Sequence, residues 1–195
     1  MHKPAMVRIK AIISGLIILW ALLLVCPGRA NQKQKEDHLL RWSSGYKLRW
    51  EDFQGNPNTD SPEDLVCATR TMLGLNFACK GKAFSSVVHC YFDRSRSWRR
   101  GFPEDKLLKH EQLHFDLSEL FARKLRQELR NITVVDSDIE AVVNGIEQRM
   151  NKACIAQQQL YDTETNHARN QAEQKRWEEL IGNELRGLEH YSSDH

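Results

Sequence analysis

The sequence predicts an exported α+β protein: a small antiparallel sheet, then a helix carrying a His-Glu-x-x-His motif, then two further long helices. Three observations predict it. Runs rich in Val, Thr and Phe, separated by a turn, lie before residue 93. Beyond residue 103 the apolar positions recur at spacings of three and four. An apolar N-terminal run precedes both and has the layout of a targeting segment.

Residues 1–30 read as a secretory signal peptide. His2, Lys3, Arg8 and Lys10 form a basic start, 11–25 is almost wholly apolar, and Gly28-Arg29-Ala30 places small residues at −3 and −1 of a cleavage site. The apolar run falls short of the ~20 residues that a spanning helix needs. An uncleaved anchor and a lipidated Cys26 are the alternative readings, though Val25 is large for the residue before a lipoprotein cysteine. The expected location is therefore periplasmic or secreted, with membrane contact only through an uncleaved signal peptide. Four of the 28 basic residues and none of the 26 acidic ones fall in 1–30, leaving 24 against 26 and a net charge of −2. Nothing in that balance points to nucleic acid. Cys67, Cys79, Cys90 and Cys154 remain. An even number in an oxidising compartment predicts two disulfides, with three connectivities open. No CxxC pair supports a cysteine-rich metal site.

Residues 31–45 read as a linker, 46–188 as the domain and 189–195 as a polar tail. In 46–53 the large residues Tyr46, Leu48, Trp50 and Phe53 predict a short strand, ended by turn formers over 54–62. Residues 65–78 and 83–92 predict two more strands around Lys80-Gly81-Lys82. The arginine-rich stretch 93–101 reads as a solvated loop. Pro103 at the first helical position, with Glu104 and Asp105 in the first turn, opens a helix expected to reach about Arg130. Ser137-Asp138-Ile139-Glu140 is a capping box for the next helix. Its expected inner face holds Ile139, Val142, Val143, Ile146, Met150, Ala153, Gln157 and Leu160, a stripe to which no chemistry is assigned. Tyr161-Asp162-Thr163 is expected to end it and cap the last helix, in which Trp177, Leu180, Ile181, Leu185 and Leu188 face inward.

The chemistry concentrates in His110-Glu111-Gln112-Leu113-His114. On a helix, residues i and i+4 lie one above the other, so two imidazoles can grip one metal ion while Glu111 leans over the open position. This is the arrangement of zinc peptidases. Leu107, His110, His114, Leu117, Phe121 and Leu125 form one stripe, so the histidines interrupt a core-facing surface. Burying an unpaired imidazole is costly, and a metal satisfies both at once. A third protein ligand is still needed. Position 120 is Leu, which excludes the short metzincin spacing, and Asp116 is better placed to support an imidazole. His167 is the favoured third ligand and Glu164 the alternative. Tyr161 is the candidate donor to a developing oxyanion. His89 reads as a core residue, and His38, His190 and His195 receive no role.

Trp50-Glu51-Asp52-Phe53-Gln54-Gly55, Ser97-Trp98, the stretch Leu107 to Asp116, and Tyr161-Asp162-Thr163-Glu164-Thr165-Asn166-His167 followed by Gln174 and Trp177 resemble a family of exported bacterial proteins. That family is catalogued as a domain of unknown function and described as secreted zinc-dependent proteases. The resemblance spans roughly 46–185. It implies a zincin-like fold, His110 and His114 as ligands, Glu111 as catalytic residue and, through Tyr-Asp-x-x-Thr-x-His, His167 as third ligand. Ala168 stands where the family leads one to expect glycine, which bears on the local backbone.

The expected function is zinc-dependent hydrolysis of peptide bonds in a peptide or protein substrate, with Zn2+ as cofactor and Glu111 taking a proton from the attacking water. The alternatives are a non-catalytic envelope binding module stapled by a structural zinc, and an amidase acting on cell-wall peptides.

Overall fold

The computed structural model describes residues 38–57, 63, 65–81, 83–101, 103–132 and 138–193. The signal peptide, residues 31–37 of the linker, Asn58 to Pro62, Ser137 of the capping box and the last two residues lie outside them. Among the described residues no helix is long and apolar enough to cross a membrane.

The architecture is α+β. β1 (Leu39–Arg41), β3 (Thr71–Lys80) and β4 (Ala83–Asp93) form an antiparallel sheet in the order β1-β4-β3. Leu40 lies opposite Phe92, and the β3–β4 hairpin runs in register from Thr71↔Phe92 to Lys80↔Ala83. β2 (Cys67–Ala68) and β5 (Trp98–Arg99) make a separate two-stranded ribbon. Three helices follow: α1 (Asp105–Arg130), α2 (Ile139–Thr165) and α3 (Gln171–Gly187).

α1 is the middle layer, and its composition requires that. Phe115, Ala122, Leu125 and Leu129 belong to a core shared with Phe53, Val88 and Phe92 on the sheet side. Leu113, Leu117, Leu120 and Phe121 join Tyr161, Trp177 and Ile181 on the other side. A helix apolar on two faces must be covered on both.

Four local expectations change. Residues 46–53 form no strand; Trp50–Asp52 is a 3-10 turn, because the Asp52 carboxylate accepts from the Arg49 amide at 2.9 Å and the Tyr46 hydroxyl at 2.8 Å. Such local side-chain bonds compete with a ladder. The stretch read as linker supplies β1 and the buried Trp42, whose indole donates to Asp116 at 2.8 Å. The expected strand 65–78 breaks at Thr69 and Arg70 into β2 and β3. Three of the four arginines of 93–101 are staples, whereas Arg96 is exposed: Arg94 pairs with buried Asp52 at 3.0 Å, Arg99 donates to the Trp50 carbonyl, and Arg100 to those of Glu63 and Leu65.

Gly55 matters where the ribbon meets this turn. A Cβ there would lie 2.7 Å from the Ser95 carbonyl oxygen and 2.9 Å from that of Ser97, so only glycine fits.

The two expected disulfides do not form: Cys67, Cys79, Cys90 and Cys154 are all free thiols. Tertiary placement separates them by role. Cys67 meets a carboxylate, Cys90 is sealed in the sheet core, and Cys154 sits on α2, where burial pushes its thiol up to about 11.

α2 also departs from expectation. Asp138 caps it through the Ala141 amide, and it continues past Tyr161 to Thr165. Ile139, Val143, Ile146 and Met150 pack inward as expected, but Val142 and Leu160 are exposed and Glu147, Tyr161 and Thr165 are buried, so only part of the expected stripe faces the core. Asn170 then caps α3. Within the stretch read as a polar tail, Glu189–Tyr191 forms a 3-10 turn.

Candidate metal centre

His110 and His114 sit one turn apart on the α2-facing side of α1, with Nε2 atoms 3.1 Å apart. The third atom at this point comes from α2: Asp162 Oδ1 lies 3.1 Å from His110 Nε2 and 3.0 Å from His114 Nε2. Three potential ligand atoms thus form a nearly equilateral triangle. Its edges approach the ~3.3 Å expected between tetrahedral ligands ~2.0–2.1 Å from a common centre. The donor set of two imidazoles and one carboxylate fits a divalent ion of borderline softness such as zinc.

Each imidazole is held from behind. His110 Nδ1 is 3.1 Å from Gln174 Oε1 on α3, and His114 Nδ1 contacts Gln158 Oε1 on α2. Tyr161 lies beneath both rings, stacked on His110 at 4.5 Å and edge-on to His114 at 4.9 Å. Its hydroxyl donates to Gln174 Oε1 at 2.8 Å. The side chain is fully buried, so this placement suits a floor under the imidazoles and not the oxyanion donor expected from sequence.

Glu111 is buried beside the pair, and its Oε1 accepts a hydrogen bond from the Cys67 thiol at 3.1 Å. Burial and the Glu111 charge push the Cys67 thiol well up, so it stays protonated and acts as a donor. Burial pulls the His114 pKa down, but the Asp162 hydrogen bond and the nearby Glu111 charge outweigh it and raise it. At Asp162 burial acts upward, and the hydrogen bonds that both imidazoles donate through Nε2 when protonated reverse it, holding the carboxyl well below its usual range.

His167 is close but outside the triangle. Its Nδ1 is 3.5 Å from Asp162 Oδ1, and the side chain is more than half exposed. It does not open α3 as expected, because α2 runs on and Asn166, His167 and Ala168 all take left-handed backbone, with φ of 48°, 50° and 66°. The position at which glycine was expected is thus one that favours glycine, and Ala168 adopts the conformation at a cost of about 1 kcal/mol. Glu164 faces elsewhere: its Oε2 accepts from the Trp177 indole at 2.8 Å and pairs with Arg176. Asp116 supports no imidazole; it accepts from Trp42 and Gln112.

Asp162, Gln158 and Gln174 were not among the expected site residues. A helix ending at residue 161 holds Gln158 but leaves Asp162 off its face. A helix carried through to 165 puts Gln158 and Asp162 one turn apart, which was the available signal.

Residues 92–168 match the family described as "Bacterial protein of unknown function (DUF922)". The matched span holds His110, Glu111, His114, Tyr161, Asp162 and His167, is shorter than the resemblance expected over 46–185, and its description assigns no activity. No curated protein and no solved structure matches the chain.

Proposed function

We propose that the chain is a zinc-dependent hydrolase of peptide bonds, acting in the cell envelope or outside the cell. The observation that carries this reading is the convergence of His110 Nε2, His114 Nε2 and Asp162 Oδ1 within 3.0–3.1 Å of one another. All three can present lone pairs, and a shared divalent cation satisfies them together. These three residues would hold the metal, with His167 beside them as a further donor able to approach.

Bound there, zinc supplies Lewis acidity. Glu111 is the residue to take a proton from the attacking water, and the Cys67 thiol keeps one of its oxygens in a fixed direction. Tyr161 and the aromatic packing behind it keep the rear of the site closed to solvent. The same two-histidine, one-carboxylate set also suits ferrous iron. Glu111, set between the two histidines in sequence, favours hydrolysis. The structural-zinc alternative calls for a closed set including Glu164, whose carboxylate is engaged by Trp177 and Arg176.

The test is Glu111→Gln, which keeps an oxygen acceptor for Cys67. Zinc-loaded protein is incubated with a peptide library and with peptidoglycan fragments, separating protease from cell-wall amidase. The expected result is cleavage by the wild type, a loss of at least ~100-fold in the variant, and unchanged zinc affinity. Equal rates would remove Glu111 from the mechanism. Chelation that unfolds the wild type, with nothing cut, would favour the structural module.

A further inference from the structure

We infer that Gln158 and Gln174 are positioning residues that select which nitrogen each imidazole offers to the metal, an inference that rests on the metal reading above. The argument is one of proton accounting. Gln158 Nε2 lies 2.9 Å from the His114 backbone carbonyl oxygen and 3.0 Å from Ser118 Oγ. A carbonyl can only accept, so the amide nitrogen must occupy that side and Oε1 must face His114 Nδ1. Oε1 also only accepts, so His114 carries its proton on Nδ1.

Gln174 repeats the logic from a different helix. Its Nε2 lies 3.1 Å from Glu178 Oε1, a carboxylate acceptor, which directs Oε1 to Tyr161 Oη and His110 Nδ1. His110 therefore also carries its proton on Nδ1. In both neutral imidazoles the lone pair is left on Nε2, the atom facing Asp162. One residue type does both jobs because a carboxamide accepts through its oxygen on one side and donates through its nitrogen on the other.

The two glutamines also connect the site to the fold: one is on α2, the other on α3, while both histidines are on α1. Partners of this kind typically orient the ligand ring and hold its tautomer. Commonly they are carboxylates, carbonyls or water; here they are neutral amides, so the negative charge at the site stays with Asp162 and Glu111.

The experiment measures zinc affinity by chelator competition for the wild type, Gln158→Met, Gln174→Met and the corresponding Glu variants, with folding checked by circular dichroism. Methionine keeps length without hydrogen bonding; glutamate restores an acceptor for the imidazole. We expect the Met variants to lose about 10–100-fold in affinity and the Glu variants to recover part of it. In the zinc-loaded wild type, nitrogen NMR should show metal on Nε2 and a proton on Nδ1 of both histidines. Folded Met variants with wild-type affinity, or metal on Nδ1 of either ring, would overturn the inference while leaving the metal reading in place. A wild type that binds no zinc would overturn both. If a Met variant does not fold, the NMR assignment of the wild type decides.

Discussion

Two polar clusters are buried along α1 on neighbouring turns, and they are neutralised differently. In the first, Glu119 is fully buried, with Arg123 Nε at 3.1 Å and Arg126 Nη1 at 2.8 Å. Arg123 also reaches Glu189 at 2.7 Å, the Leu185 carbonyl and Ser192, and its guanidinium lies over the Trp42 ring. Two carboxylates meet two guanidinium groups whose charge is permanent. In the second cluster, among the described residues, the side chains of Asp162 and Glu111 meet imidazoles and a thiol, whose charge depends on pH. The first cluster is closed by the fold's own cations and serves structure. In the proposed reading the second would exchange one cation for another, a proton for a metal ion, which the first cannot do.

The contrast is most severely tested at the closed cluster. Arg123→Ala would leave Glu119 buried with half its partners gone, and breaking such a buried pair costs about 3–5 kcal/mol. Urea unfolding should show that loss, while zinc affinity of the folded fraction stays at the wild-type value. A loss below about 1 kcal/mol would mean that the cluster contributes little.

A smaller effect separates the two clusters by pH. His114 has its pKa raised above the ordinary 6.5, so a proton must leave before its Nε2 can accept a metal. Zinc affinity should therefore fall by about tenfold per pH unit below the His114 pKa and flatten above it. The metal-free protein should move the other way. The stability contributed by protonated His114 is fully present below the unfolded pKa and is lost as pH rises through the raised folded value. Chelator competition and unfolding curves from acid to mildly alkaline pH read both; a zinc affinity independent of pH would contradict the placement of His114.

The smallest expected change concerns Glu147, another buried carboxylate, whose pKa is raised by burial alone. Glu147→Gln should stabilise the fold at neutral pH by less than about 1 kcal/mol. Because a raised acid pKa penalises only the charged form, the gain should vanish as pH falls and Glu147 protonates. A destabilised variant at neutral pH would mean that Glu147 has a counter-charge.

How much was legible beforehand depended on the range of the determining interaction. The 105–130 helix could be read because Pro103, the acidic first turn and the apolar stripe are all local signals. His110 and His114 share a face for the same reason, since helical spacing alone sets it. Leu39–Arg41 could not be read as a strand, because three residues carry no period and only β4 makes them one. Residues 46–53 misled because alternating large side chains look the same whether a ladder or an aspartate-capped turn receives them. Whether cysteines pair is likewise a matter of distance in space, which even spacing does not reveal.

By itself, the sequence determined the helix that presents two imidazoles and the presence of Glu111 between them. Tertiary structure alone decided what meets them: Asp162 at the third corner, His167 beside it, and a glutamine behind each ring. The physical reason is that a helix fixes its own side-chain directions through backbone hydrogen bonds four residues apart. Which residues from α2 and α3 arrive opposite depends on where α2 stops and on the left-handed turn at 166–168 that follows it, in which Ala168 alone is buried.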